Sequence, residues 1–343
     1  MTRASNSAAC LPTGFLPPAI LTLLNPSDPT APLSSAPAHT DVKVSIVVVN
    51  WNTRDELENC LSSLAHPRDE VHEIIVVDNG SHDGSQAMIE RRFPHVRLLA
   101  NHRNELYTRA CNQGIRLARG KYVLLLNSDV VLPVSDLTAL AEALDRDHGV
   151  SAVAPRFVDA NGNTAPSCMR FPRISTALFY FTTLGRLLPR SKVLARYYMR
   201  DWDHESTMLV DQPPAACLMV RSEVFREIGL LDERMKLYFS DVDFCHRLKL
   251  AGMKVKYLSE LAVYHAVGAS TRKLPDAVEH YQKDRITYYR KVYGWRGAAA
   301  CKIAIVDLAI WEWIATFRRV GAGKPLLAFT RQLSNLVYRC LTY

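Results

Sequence analysis

From Val42 onward the chain alternates short apolar runs with polar turns. Val42–Val49 and Glu73–Val77 each end in an unbroken apolar run, Ile46–Val49 and Ile74–Val77, and Tyr122–Leu126 is apolar throughout. Unbroken runs of this length predict strands buried on both faces, as in a largely parallel sheet. Arg97–Ala100 predicts a fourth strand. Between them, Asp55–Leu64 and Thr108–Ala118 carry the spacing of amphipathic helices, the second closing at Gly120 as a helix C′ residue. Strands separated by helices in so few residues follow the βαβ rhythm of a right-handed parallel sheet. Further on, Phe244, Leu248 and Ala251 or Gly252 mark the buried side of a helix. Asp241 and Asp243 lie about 200° apart on it and cannot share one face.

Every one of the three buried strands ends in polar residues: Asn50-Trp51-Asn52, Asp78-Asn79-Gly80-Ser81 and Asn127-Ser128-Asp129. Open α/β sheets bind ligands outside the carboxyl ends of their strands, so these turns are the candidate site. A carboxylate at Asp129 can hold Mg²⁺ or Mn²⁺ against a diphosphate, the ion completing its shell with phosphate and water. Asp78 can accept the imide N–H of a pyrimidine, and the Gly-Ser turn brings backbone N–H groups near a ribose or phosphate. The same residues also form ordinary caps and Asx turns, and that reading stands beside the functional one. No G-x-G-x-x-G follows any strand, which argues against a dinucleotide dehydrogenase.

The 343 residues are 48% hydrophobic and carry a net charge of +8, ample for one large domain and an accessory one. Thr271–Tyr343 holds 13 Lys or Arg against 5 Asp or Glu, an excess equal to that of the whole chain. Such a tail suits an anionic surface. No recognised nucleic-acid module accompanies it, so no nucleic-acid partner is expected. The eight scattered cysteines argue for reduced thiols in a cytoplasmic setting and against zinc. Ile303–Phe317 is interrupted by Asp307 and Glu312 and falls short of the ~20 apolar residues a membrane span needs. Ile303, Val306, Ile310, Trp313 and Phe317 nevertheless recur at steps of three and four, ahead of Arg318-Arg319. Arg170–Arg200 likewise sets Phe171, Leu178, Phe179, Tyr180, Leu184, Leu187 and Leu188 among basic residues. Both stretches fit either a bilayer interface or internal packing, and the C-terminal helices also fit a homodimer. Residues 1–40, punctuated by proline, read as a disordered leader without signal-peptide character.

In order, VSIVVVNWN, EIIVVDNGSHDGS, NHRNELYTRACNQGI, GKYVLLLNSDVVL, CLMVRSEVFREIGLLDE, LYFSDVDFCHRLKLAG and VYHAVGAS resemble the family 2 glycosyltransferases of GT-A fold, within them the bacterial rhamnosyltransferase-like branch. The resemblance runs from about Val42 to Ser270. It implies an α/β, Rossmann-like, mostly parallel sheet flanked by helices, with a nucleotide half at 41–132, an acceptor half at 133–275 and a C-terminal helical extension at 276–343.

The resemblance further implies roles residue by residue. Asp78, with Asn50 and Asn79, falls on the nucleotide-binding positions, joined by Asn104, Arg109, Asn127 and Ser128. Asp129 falls on the metal-binding aspartate and His265 on a second metal ligand, for Mg²⁺ or Mn²⁺. Asp241 matches the catalytic base, with Asp243, Asp211 and Trp202 on the acceptor side. Two departures stand out: Ser240 occupies the place of a usual glutamate, and Leu106 the place of a usual glycine. The implied activity is metal-dependent, inverting transfer of a sugar, with dTDP-rhamnose favoured as donor and a UDP-sugar as the other option, to a polyprenyl-linked glycan. The implied place is the cytoplasmic face of the plasma membrane. The alternative is an inactive, nucleotide-binding relative serving as a scaffold.

Overall fold

A computed structural model describes residues 42–64, 72–266, 271–321 and 323–343. The proline-rich leader and Val267–Ser270 lie outside the described residues. The first half runs β1 (Val44–Asn50), α1 (Arg54–Leu64), β2 (His72–Asp78), α2 (Ser85–Arg92), β3 (Arg97–Ala100), α3 (Tyr107–Leu117), β4 (Tyr122–Asn127), β5 (Val130–Val131), α4 (Val134–Arg146) and β6 (Ala152–Val158). Three short helices follow, α5 (Ile174–Phe179), α6 (Thr183–Leu187) and α7 (Lys192–Tyr197), then β7 (Met208–Val210), β8 (Cys217–Arg221) and α8 (Ser222–Glu227). The chain closes with α9 (Ser240–Leu250), β9 (Val255–His265), α10 (Ala277–Val320) and α11 (Lys324–Leu341).

One sheet carries the strands in the order β3-β2-β1-β4-β8-β6-β9-β5, with β7 on the free edge of β9. The nucleotide half, β3-β2-β1-β4, is wholly parallel. The acceptor half is mixed, because β8 runs antiparallel to both β4 and β6. Side chains alternate across the sheet. Ile46, Val48, Leu124 and Leu126 join the core with α1 and α4, while Val47, Val123 and Leu125 join Cys111 of α3 and Phe244 of α9. Burial on both faces is the reason these runs show no period-2 pattern.

A third core, Tyr180, Tyr197, Tyr238, Phe239, Tyr281, Tyr288 and Tyr289, binds α5, α7 and α10 to the loop before α9. Arg170–Arg200 therefore divides its apolar residues. Its aromatics turn inward, while Leu184, Leu187 and Leu188 stay exposed. α10 bends at Gly294, whose φ of 62° and ψ of −153° are non-helical.

Two local expectations change. α3 ends at Leu117 with extended Ala118 as its cap, so Gly120 is not a left-handed C′ residue. Its lack of a side chain is needed for another reason: a Cβ there would lie 2.6 Å from the Ser45 backbone nitrogen. α9 stops at Leu250, so its buried stripe ends at Leu248 and Ala251 and Gly252 are exposed.

Candidate active site

Parallel register sets the strand ends abreast: Asn50 pairs with Asp78, and Val49 with Asn127. The Asn50 amide donates to Asp78 Oδ1 at 2.7 Å and to Ser81 Oγ at 3.1 Å. Asn50 Oδ1 accepts from Thr53 Oγ1 at 2.7 Å, and that hydroxyl lies 2.8 Å from Ser128 Oγ. One buried chain of hydrogen bonds thus runs from Asp78 to the Asn-Ser-Asp turn, and buried chains of this kind fix geometry closely. Asp78 Oδ2 accepts from the Ser81 N–H at 3.0 Å and Gln86 Nε2 at 2.7 Å. Its carboxylate is fully buried and organises the turn from within. Gly80 adopts a φ of +72°, and a Cβ there would come within 2.8 Å of the Arg103 Cα.

The loop after β3 is tied to the same turn. Asn79 Oδ1 accepts from Asn101 Nδ2 at 2.9 Å, and Asn79 Nδ2 donates to the Leu106 carbonyl at 3.2 Å. Asn104 Oδ1 accepts the Leu106 N–H at 2.9 Å. Leu106 takes a φ of 65° with a ψ of 168°, a region essentially reserved for glycine. Arg109 is exposed and lies 3.4 Å from Glu105 Oε2.

The pairing of β5 with β9 sets Val130 opposite His265, and the Ala266 N–H donates to the Asp129 carbonyl at 3.0 Å. As a result His265 Nε2 stands 3.3 Å from Asp129 Oδ1. The contact lacks hydrogen-bond geometry, and Nε2 is buried without a hydrogen-bond partner. Two cis ligands of an octahedral ion at ~2.1 Å are separated by about 3 Å, so the pair fits a shared Mg²⁺ or Mn²⁺. Among the described residues no cluster of three His, Cys, Asp or Glu side chains could hold a metal. Two protein ligands suit an ion that keeps water and phosphate in its shell.

Asp241 stands in the first turn of α9 and is 1% exposed. Its Oδ2 accepts from the Ala215 N–H, and the neighbouring Ala216 carbonyl accepts from the Asn127 N–H at 2.9 Å. Asp241 is thereby attached one residue away from the backbone that holds the Asn-Ser-Asp turn. Burial pushes its carboxyl well above the ordinary carboxylate range, against the pull of backbone N–H groups from Ala215 and the helix start. Tyr107 senses both sides: burial first, then Cys111, Asp241 and Asp129, push its phenol up.

The remaining acceptor-side candidates each have partners of their own. Asp243 is fully buried and ion-paired, with Arg247 Nε at 2.8 Å and Lys291 Nζ at 3.5 Å. Asp211 pairs with Lys249 Nζ at 2.5 Å on the outer side of α9. Trp202 stacks on His204, ring centroids 4.1 Å apart, and donates from Nε1 to Ser206 Oγ at 2.8 Å. Sequence reasoning picked out the turn that holds Ser81 for its backbone N–H groups, but it missed Thr53 and Gln86, which carry the polar network, and Lys273, whose Nζ donates to the Asn52 carbonyl across the turn after β1. Thr53 and Gln86 lie on or beside helix starts, where polar residues are ordinary, so nothing in their spacing marked them.

Polar strand ends thus stand abreast at the carboxyl edge of an α/β sheet, the place where such sheets bind ligands. The model described as "Glycosyl transferase family 2" matches residues 45–227; the chain belongs to that family and is a glycosyltransferase. The N-acetylglucosaminyl-diphospho-decaprenol L-rhamnosyltransferase of Mycobacterium tuberculosis is 29% identical over 269 residues, covering 75% of this chain and 87% of that protein. Rhamnosyltransferase WbbL of Escherichia coli is 23% identical over 263 residues, covering 74% and 89%. Among solved structures, S. aureus TarS 1-349 in complex with UDP-GlcNAc gives a TM-score of 0.49 at 17% identity, covering 78% of this chain and 71% of that one.

Proposed function

We propose that the protein transfers rhamnose from dTDP-rhamnose to a polyprenyl-diphosphate-linked sugar, with inversion. The activities of the two relatives support the sugar, and that of the first supports a lipid-linked acceptor. The observation that carries the mechanism is the attachment of Asp241, through Ala215 and Ala216, to the strand end that bears Asp129. Asp129 and His265 would hold Mg²⁺ or Mn²⁺, which when bound offsets the charge gathering on the leaving diphosphate. Asp78, Asn50 and Asn79 shape the turn that receives the nucleoside. Asp241 takes the proton of the acceptor hydroxyl as its oxygen bonds to the anomeric carbon and the bond to the diphosphate breaks. A single displacement inverts the centre and needs no covalent sugar-enzyme step.

Transfer by the purified protein from dTDP-rhamnose, UDP-sugars and GDP-sugars, each with and without Mn²⁺, tests this reading. Asp241→Asn should keep donor affinity and lose transfer by at least about 100-fold. Asp129→Ala and His265→Ala should each weaken Mn²⁺-dependent donor binding, read by calorimetry. Donor hydrolysis or transfer that ignores both substitutions would defeat the metal assignment, and nucleotide binding without any transfer would favour the scaffold reading.

A lipid surface is the proposed partner of the C-terminal region. Among the described residues no helix is long and apolar enough to cross a membrane. Ile303, Val306, Ile310, Trp313, Phe317 and Val320 are all exposed on α10, spaced by three and four, with Arg318 and Arg319 at their end. As a coiled coil between two copies the stripe lacks charge pairing: Lys302 bonds to the Leu341 carbonyl, Asp307 to the Thr183 N–H, and Ala309, Ile314 and Thr316 are uncharged. Apolar side chains edged by arginine match an anionic headgroup region better than a second copy of the same basic face.

A further inference from the structure

α10 lies beyond the residues matched by the family model, yet its first half is built into the loop that delivers Asp241. Asp284 is 2% exposed and its carboxylate accepts three consecutive backbone N–H groups: Lys236 at 3.1 Å on Oδ1, and Leu237 and Tyr238, each at 2.9 Å, on Oδ2. Three residues after Tyr238 comes Asp241. Between them Phe239 is held in the left-handed region, φ 67° and ψ 2°, a costly conformation for a bulky residue. Its ring packs against Tyr281, centroids 5.7 Å apart, and Tyr288, 5.4 Å apart, and Tyr238 packs on Tyr281 at 5.4 Å. Lys291, two turns beyond Asp284, completes the same face by reaching Asp232 at 2.9 Å and Asp243 of α9 at 3.5 Å. Tyr281, Asp284, Tyr288 and Lys291 recur at steps of three, four and three, so one stripe of α10 grips the whole approach to α9.

We propose that Asp284 is a positioning residue for sugar transfer: by binding the N–H groups of Lys236–Tyr238 it fixes the backbone from which Asp241 meets the acceptor hydroxyl. The proposal rests on Asp241 being the base. A buried carboxylate is expensive, and burial pushes this one up to about 7 despite its three N–H donors. A core position without a task would be filled at less cost by an apolar side chain. The loop also reaches the donor side, since the Thr108 N–H donates to the Lys236 carbonyl at 3.1 Å and Thr108 Oγ1 to Ser240 Oγ at 2.9 Å. An amide at position 284 presents an N–H₂ group to at least one of the three N–H donors, so the loop must shift.

The experiment measures transfer by the full chain for wild type, Asp284→Asn, Asp284→Glu and Asp241→Asn, with rates normalised to donor-binding sites counted by calorimetry. Misplacing a catalytic group by about an ångström costs up to ~100-fold, so Asp284→Asn should lower kcat 10- to 100-fold with donor Kd changed less than twofold. Asp284→Glu, which keeps the acceptor oxygens, should recover part of the loss. Amide exchange should speed up at Lys236–Tyr238 in Asp284→Asn while β1 and β4 stay protected, a readout that survives if the variant is too weakened for kinetics. An unchanged kcat per site, or a donor affinity that falls in parallel with kcat, overturns the positioning role even when Asp241→Asn is inactive. Full activity in Asp241→Asn overturns the assignment of the base instead.

Discussion

Asp241 is subject to two opposed influences, and the balance between them sets how it would work as the proposed base. Burial raises its pKa, while the Ala215 N–H and the first turn of α9 favour the carboxylate; burial wins. A base with a raised pKa binds a proton more strongly but is idle whenever it is already protonated. The expected result is a rate that falls as pH drops through a value above the ordinary carboxylate range of about 4. kcat/KM followed from acid to alkaline pH checks this, and an acid limb near 4 would point to an exposed carboxylate as the base. For stability the sign runs the other way. A raised carboxyl pKa makes folding more favourable below the unfolded value, and that contribution is lost as pH rises through the folded one. Leu106 is the second residue whose local state has a measurable consequence. Its dihedrals, φ 65° and ψ 168°, cost a non-glycine residue ~1–3 kcal/mol, and glycine's extra chain entropy returns about 1 kcal/mol of that. Leu106→Gly should therefore stabilise the fold by about 1 kcal/mol in urea unfolding. Destabilisation would mean that the side chain supplies packing worth more than the strain.

At the scale of elements, the turn after β2 depends on Gly80 in a way that no side chain can replace. Gly80→Ala combines a φ of +72° with a Cβ 2.8 Å from the Arg103 Cα. It should cost ~2 kcal/mol or more in thermal unfolding and weaken nucleotide binding, because the loop pinned to Asn79 must retreat. Normal donor affinity would detach that loop from the site. This turn was legible in the sequence, since Asp-Asn-Gly after an apolar run specifies it chemically. The doubly buried strands were legible for the same reason, as unbroken apolar runs. The meeting of Asp129 with His265 was legible only through the family resemblance, because it depends on β5 pairing with β9 across 135 positions, from Val130 to His265. No local pattern encodes such a register. Asp243 shows the limit from the other side: its place one turn from Arg247 was visible, but the fully buried ion pair with Arg247 and Lys291 is a product of tertiary packing.

For the whole molecule, the distribution of charge and apolar surface sets how the enzyme would meet its acceptor. The proposed acceptor, a polyprenyl-linked sugar, stays at the bilayer, so a transferase with no spanning helix among its described residues would gain from a face that holds it there. The basic excess of Thr271–Tyr343 equals the net charge of the chain, and the apolar stripe of α10 is exposed in the same region. α6 lies against this part of α10, with Arg186 3.6 Å from Glu312 and its guanidinium 4.8 Å from the Trp311 ring centroid. It adds the exposed Leu187 and Leu188. Each basic residue near an anionic surface contributes ~1 kcal/mol, and the attraction fades as salt shortens the Debye length to about 3 Å at 1 M. The protein should float with phosphatidylglycerol vesicles at low salt and release in part at high salt, the apolar contribution remaining. Arg318→Glu with Arg319→Glu should remove most of the salt-sensitive fraction, and Ile310→Ser with Phe317→Ser most of the salt-resistant one. Both pairs lie far along α10 from Asp284, so transfer to a short, water-soluble acceptor should be unchanged while transfer to a vesicle-borne acceptor falls. Equal flotation of all variants, or concentration-dependent dimerisation that vanishes with the serine pair, would assign the stripe to a second copy of the chain instead of to lipid.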